Sequence, residues 1–93
     1  MKFLSNLIRR NRERRSRILA ERIVKTTQEI SDLRVRLMVT CAMGTSAVNQ
    51  KERFVADILC DMAEDGQAAL TKLERKLCLL EQKAGENIAR LNA

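Results

Sequence analysis

Histidine, proline, tryptophan and tyrosine are absent from this chain of 93 residues, which has only three glycines and two phenylalanines. Without histidine, the chain has no side chain that ordinarily titrates near neutral pH and no imidazole ligand for zinc. No glycine-rich loop precedes a helix to hold a phosphate, and no nucleophile lies beside an activating group. We therefore expect a protein that is not an enzyme and that uses neither a cofactor nor a metal ion.

The residues that are present favour helices. Leu, Ala, Arg, Glu and Lys are in excess, a composition typical of all-α proteins, and 45% of the residues are apolar. We predict a single helical domain over residues 1–93. A chain of this length buries only about 60 to 65% of its unfolded surface, so a partner or a second copy would help to stabilise it.

Three cysteines, Cys41, Cys60 and Cys78, form no C-x-x-C pair. We interpret them as small buried hydrophobic side chains of a protein in a reducing compartment, with a redox or intermolecular disulfide role as the alternative. The apolar start of the chain is too short for a signal-peptide core, and no apolar run approaches the ~20 residues of a membrane span. A cytoplasmic protein is expected.

Apolar residues recur along two lines at steps of three and four, as in a heptad seam. The first line contains Leu19, Ile23, Thr26, Ile30, Leu33, Leu37 and Thr40. The second contains Val55, Leu59, Met62, Gly66, Leu70, Leu73, Leu77, Leu80, Ala84, Ile88 and Leu91. Two lines of this kind predict a long antiparallel helical hairpin or coiled coil.

The turn is predicted at Gly44 to Ser46, because glycine suits a left-handed helix stop and Thr45 or Ser46 can cap the next helix. The body then consists of residues 23–43 and 47–92, after a basic arm at 1–22. Gly66 leaves two readings open. We favour one continuous second helix, because the apolar line keeps its phase there, but a break at Gly66 would give three helices.

A turn at this place pairs residues whose numbers sum to about ninety. Leucines late in the second helix would then lie opposite the arginines of the arm and would have no apolar mates. An exposed apolar seam of this size is unusual in soluble monomers. We therefore predict a homo-oligomer, or binding to a larger protein, through Leu70, Leu73, Leu77, Leu80 and Ile88.

The basic arm carries the whole net charge of +6, since residues 1–22 hold eight Lys or Arg and two Glu. Arginine pairs bidentately with phosphates and with guanine edges, and a cationic helix displaces counterions from nucleic acid. A solvated helix face is the simpler alternative. The predicted binding residues are Arg9, Arg10, Arg12, Arg14, Arg15, Arg17 and Arg22.

The segment RRNRERRSRILAER resembles the arginine-rich helix at the start of the antitermination N proteins of lambdoid phages. The likeness rests on the pair Arg14 and Arg15 and on the aliphatic pair Ile18 and Leu19, which leads to Ala20, Glu21 and Arg22. In that family the helix grips a hairpin of nascent phage RNA, so the resemblance implies RNA as the ligand. Those proteins continue as disordered chains containing proline, whereas this chain continues as heptads.

Two further features flank the arm and the body. Phe3, Leu4, Leu7 and Ile8 form a short apolar patch that either packs on the body or, beside the arginines, touches an anionic membrane surface. Asp57, Asp61 and Asp65 follow at intervals of four and form an acidic stripe. We interpret that stripe as facing solvent or as a contact for basic surface, such as the arm of another copy.

Two functions remain in competition. The first is a small helical regulatory protein whose arginine-rich helix binds RNA or DNA and whose coiled-coil body makes a dimer. The second is a phage- or plasmid-type inhibitor or adaptor that docks on an acidic surface of a host protein or nucleoprotein complex. Arginine serves both, so the sequence leaves the choice open.

Overall fold

The computed structural model describes residues 2–92, which form two long α-helices. Helix α1 spans Lys2–Asn49 and helix α2 spans Arg53–Asn92. The two helices pack against each other as an antiparallel hairpin, which confirms the predicted all-α fold. Helix α2 runs through Gly66 without a break, so the two-helix reading is right and the three-helix alternative is wrong.

The predicted position of the turn was wrong. Gly44, Thr45 and Ser46 lie inside α1, and the chain reverses at Gln50 to Glu52. There Lys51 has a φ of 59°, in the left-handed region. The Glu52 N–H donates to the Ala47 carbonyl at 2.9 Å and the Lys51 N–H donates to the Val48 carbonyl at 3.0 Å. These two bonds form a Schellman motif, which satisfies the last carbonyls of α1 even though the left-handed residue is lysine.

Gly44 contributes to packing instead of ending a helix. A Cβ added to Gly44 would lie 3.7 Å from the Leu59 Cβ, and a Cβ added to Gly66 would lie 2.6 Å from Leu37 Cδ2. Both pairs of residue numbers sum to 103, not to about ninety. The absence of side chains at these glycines lets the two backbones approach closely near the turn.

The seam predicted for α1 is confirmed and continues as far as Ala47, which is buried. The seam of α2 differs from the prediction at three steps. Its positions, which are all buried or half-buried, are Ala56, Leu59, Ala63, Gly66, Leu70, Leu73, Leu77, Leu80, Ala84, Asn87 and Leu91, and Thr71 beside Leu70 is also half-buried. Small or polar residues thus take the places predicted for Val55, Met62 and Ile88, which remain exposed.

Residue contacts divide the chain into two compact units. Unit 1 comprises residues 1–27 and 75–93, and unit 2 comprises residues 28–74. Inside unit 1, the side-chain amide of the buried Asn87 donates from Nδ2 to the carbonyl of Arg12 at 2.9 Å. Inside unit 2, Arg34 pairs with Glu74 across the hairpin at 3.5 Å. Each of these polar contacts joins α1 to α2 within one unit, and the exposed Arg34–Glu74 pair contributes little to stability.

The two helical glycines of α2 should respond differently to alanine. Gly85→Ala is expected to raise the free energy of unfolding by about 0.5 to 1 kcal/mol, because it removes the helix penalty of glycine and no atom lies within 4 Å of the added methyl group. Gly66→Ala should gain less or should destabilise the protein, because Leu37 must move. Thermal unfolding followed by circular dichroism at equal protein concentrations checks this, and equal gains would show that the approach at Gly66 is not tight.

Candidate nucleic-acid interface

The basic arm is the first part of α1, and its arginines are arranged by the packing of that helix in unit 1. The seam of α1 passes through Ser16 and Leu19, which are half-buried. Residues between the seam positions lie on the flanks or on the outer side of the helix, away from α2. The seven predicted binding arginines all lie on α1, and every one except the half-buried Arg12 is exposed. The predicted location of a cationic surface is therefore consistent with the structure.

Two of these arginines already have partners. Arg9 pairs through Nε with Glu13 Oε1 at 3.4 Å, one helical turn along α1. Arg12 donates a hydrogen bond from Nη1 to the carbonyl of Arg90 at 3.3 Å, and the backbone carbonyl of Arg12 accepts a hydrogen bond from the side-chain amide of Asn87. Arg12 thus helps to join the two helices of unit 1, and a ligand would have to compete for its guanidinium group.

The remaining arginines have no carboxylate partner among the described residues. Arg10, Arg14 and Arg17 follow at steps of four and three and share one stripe on the side of α1 opposite the seam. Arg15 and Arg22 are seven residues apart and lie together on a flank of the same helix. We call Arg10, Arg14, Arg15 and Arg17 the arginine stripe, because they combine exposure with close spacing.

Unit 1 is more basic than the arm alone. It holds thirteen Lys or Arg and four Glu, a net charge of +9, whereas unit 2 holds five basic and eight acidic residues, a net charge of −3. The additional cations come from α2: Arg75, Lys76, Lys83 and Arg90. Sequence reasoning missed them because residues 23–93 sum to zero, so the basic residues of α2 were averaged with the acidic residues of unit 2.

The N-terminal apolar patch does not pack on the body, so the simpler prediction for it was wrong. Phe3 is 78% exposed, and Leu4, Leu7 and Ile8 are each more than half exposed. Leu7 and Ile8 line a shallow surface depression together with Arg10, Asn11 and Arg14. Apolar side chains therefore lie directly beside the arginine stripe.

The leucines predicted to form an intermolecular interface have mates within the chain. Leu70 and Leu80 are buried, and Leu73 and Leu77 are half-buried in the seam. With the turn at Gln50 to Glu52, they face the apolar residues of α1 and not its arginines. Of the five residues named for that interface, Ile88 alone is largely exposed, so the reason for expecting the others to bind a partner disappears.

The prediction that the cysteines are buried was also wrong. Cys41, Cys60 and Cys78 are exposed free thiols. Cys41 and Cys60 line one groove of unit 2, beside Gly44 and Leu59. Each cysteine directly follows a seam position (Thr40, Leu59 and Leu77) without occupying it, so its side chain lies on the flank of the helix and not in the core.

The acidic stripe of α2 is exposed, as one of its two readings predicted. Within residues 2–92, Asp57, Asp61 and Asp65 have no salt-bridge partner. In the same part of the chain, no group of three Cys, Asp or Glu side chains is placed to hold a metal ion. Neither helix, over its described length, is apolar enough to cross a membrane.

Comparisons of the chain with models of protein families, with characterised proteins and with solved structures found no match. Any functional conclusion must therefore come from the arrangement of the residues themselves.

Proposed function

We propose that this protein is a small helical nucleic-acid-binding protein and that the arginine stripe of α1 makes the contact. The observation that carries the proposal is the combination of four exposed arginines, none paired with a carboxylate among the described residues, in a unit with a net charge of +9. A surface of this charge attracts polyanions and releases their counterions on binding.

The position of the stripe supports phosphate binding. Arg10, Arg14 and Arg17 lie on the side of α1 that faces away from the seam, so a ligand reaches them without separating the two helices. Each guanidinium group can donate two parallel hydrogen bonds to a phosphate. Three such groups on one helical stripe can follow a run of phosphates, while Arg15 on the adjacent flank widens the contact.

A helix face that is merely solvated explains the charge of the arginine stripe less well than a binding surface does. Exposed helices usually mix charges of both signs, which keeps a protein soluble without a strong local field. Residues 9–22 hold seven arginines and two glutamates, and one of those glutamates, Glu13, is already paired with Arg9. The excess positive charge is therefore not neutralised within this helix.

Fluorescence anisotropy with labelled RNA hairpins, duplex DNA and single strands tests the proposal. We expect binding at low salt that weakens steeply as salt rises. Four phosphate contacts predict a slope of log K against log salt of about −3.6 on duplex DNA and about −2.8 on single strands. Absence of binding to all of these probes at low salt, or binding that does not depend on salt, would contradict the proposal.

The competing function, docking on a host protein, has one observation in its favour. Leu7 and Ile8 remain exposed beside Arg10 and Arg14, and apolar anchors next to arginine are common in protein interfaces. A pull-down with and without nuclease separates the two functions. Docking on a protein would be favoured by two results together: the partners remain bound after nuclease treatment, and the purified chain does not bind the nucleic-acid probes.

A further inference from the structure

Unit 2 leaves a cluster of large apolar side chains exposed near the turn. On α1 these are Val39 and Met43, four residues apart, and on α2 they are Val55, Ile58 and Met62, at steps of three and four. Spacing of this kind places the members of each set on one side of their helix. All five are between 42% and 54% exposed, so each keeps a large part of its apolar surface in water.

The two sets lie on the same side of the hairpin. Cys41 and Cys60 each directly follow a seam residue, and both line one common groove. Residues that directly follow seam residues therefore lie on the same side of the hairpin in both helices. Met43 and Met62 instead precede the seam residues Gly44 and Ala63, so they lie on the opposite flank of each helix. Val39, Met43, Val55, Ile58 and Met62 therefore form one surface, which we call the turn-proximal apolar face.

From this surface we infer that two copies of the chain associate through their turn-proximal apolar faces and form a local four-helix bundle. Packing two helical hairpins face to face is a common way to give each helix pair a closed core. The same patch on both subunits then makes a two-fold symmetric interface. This inference does not rest on nucleic-acid binding, and it replaces the interface predicted through Leu70 to Leu80.

The area of the chain supports a second copy as the occupant. The chain exposes 7730 Å². A compact monomer of 10.6 kDa exposes about 5,500 Å². The difference, about 2,200 Å², exceeds the roughly 800 Å² that each partner buries in a stable interface of standard size. The chain therefore has enough excess surface for one interface of standard size.

When the same unit of two copies meets, charge favours contact through unit 2 over contact through unit 1. Unit 2 has a net charge of −3 and unit 1 has a net charge of +9, so two copies of unit 2 repel each other about ninefold less at the same separation. None of the five residues of the face is charged. Burial of these five side chains themselves therefore carries no cost of desolvating a charge.

Analytical ultracentrifugation of the full chain tests this inference. The protein should be treated with nuclease and measured in high salt with a reducing agent, so that neither nucleic acid nor a disulfide can link two copies. At micromolar concentrations we expect twice the chain mass of 10.6 kDa. The double substitution Met43→Glu and Met62→Glu should weaken the dimer by at least about 100-fold, because it buries charges without partners.

Val24→Glu with Leu79→Glu is the matched control. These residues are 69% and 58% exposed in unit 1, and the pair makes the same change in charge, so the dimer should persist. If the Met43 and Met62 variant loses its helical signal in circular dichroism, Met43→Gln with Met62→Gln provides an uncharged test of the same face, and it should also weaken the dimer. A wild-type chain that sediments as a monomer, or a folded variant of the face that dimerises as the control does, would overturn the inference.

Discussion

Replacing Arg10, Arg14, Arg15 and Arg17 together by alanine is expected to reduce affinity for nucleic acid roughly a thousandfold at moderate salt, because four phosphate contacts and their counterion release are lost. The net charge falls from +6 to +2. The fold should persist, because all four side chains are exposed and lie off the seam, and such substitutions usually change stability by within about 0.5 kcal/mol each. Anisotropy titrations and circular dichroism measure the two effects separately.

A matched control variant shows whether the loss of affinity comes from the arginine stripe itself or only from the lower net charge. Alanine at Arg34, Arg36, Arg53 and Lys72 removes the same four charges from exposed positions in unit 2. This control should bind nearly as tightly as the wild type. Equal losses of affinity in both variants would show that the total charge determines binding, and unfolding of the stripe variant would show that its arginines are structural.

Lysine at the four stripe positions addresses the type of contact. Lysine keeps the positive charge but lacks the planar fork that grips a phosphate through two hydrogen bonds. Affinity close to the wild-type value would indicate a mainly electrostatic contact. A large loss would indicate bidentate recognition of phosphates or base edges.

The heptad pattern was enough to predict the two helices but not how they pair. Leu19, Ile23 and Ile30 indicated the face of α1 that packs, since apolar spacing follows directly from helix geometry. An apolar line that repeats every seven residues, however, fits several registers equally well. The predicted and observed registers differ in the sum of paired residue numbers by about thirteen, close to two heptads, so the pattern alone could not reject the wrong one.

The position of the turn determines the register of the two helices, and the helix-ending preference of glycine predicted that position wrongly. Gly44 is the residue type that most often ends a helix, yet its missing side chain serves the close approach to Leu59. The left-handed position is taken by Lys51, at a conformational cost of about 1 to 2 kcal/mol that the Schellman hydrogen bonds and the packing of both helices offset. Tertiary packing thus outweighs the preference of a single residue.

The candidate site, like the fold, was predictable from the sequence only in part. A run of arginines with few acids could be recognised without any structure, whereas the engagement of Arg12 by Asn87 and Arg90 depends on which part of α2 lies beside the arm. Ile88 looked like the seam residue because it is apolar. Asn87 occupies the seam because its amide can donate to the Arg12 carbonyl, a bond that isoleucine cannot make.

Ile30→Asp is expected to abolish the folded hairpin. Ile30 is 4% exposed and lies in the seam of unit 2. The substitution removes its buried hydrocarbon, which alone costs about 2 to 5 kcal/mol, and adds the penalty of a buried carboxylate without a partner. Small domains are stable by only about 5 to 15 kcal/mol, so losses of this size remove most or all of the stability.

Val35→Asp is the control for this change. Val35 lies on the same helix five positions later, and it is 57% exposed. The two substitutions exchange a β-branched residue for the same acid, so they change helix propensity and net charge in nearly the same way. Val35→Asp should therefore melt within a few degrees of the wild type, while Ile30→Asp should show little helical signal in circular dichroism at the same concentration. Similar behaviour of the two variants would mean that the seam through Ile30 does not hold α1 and α2 together.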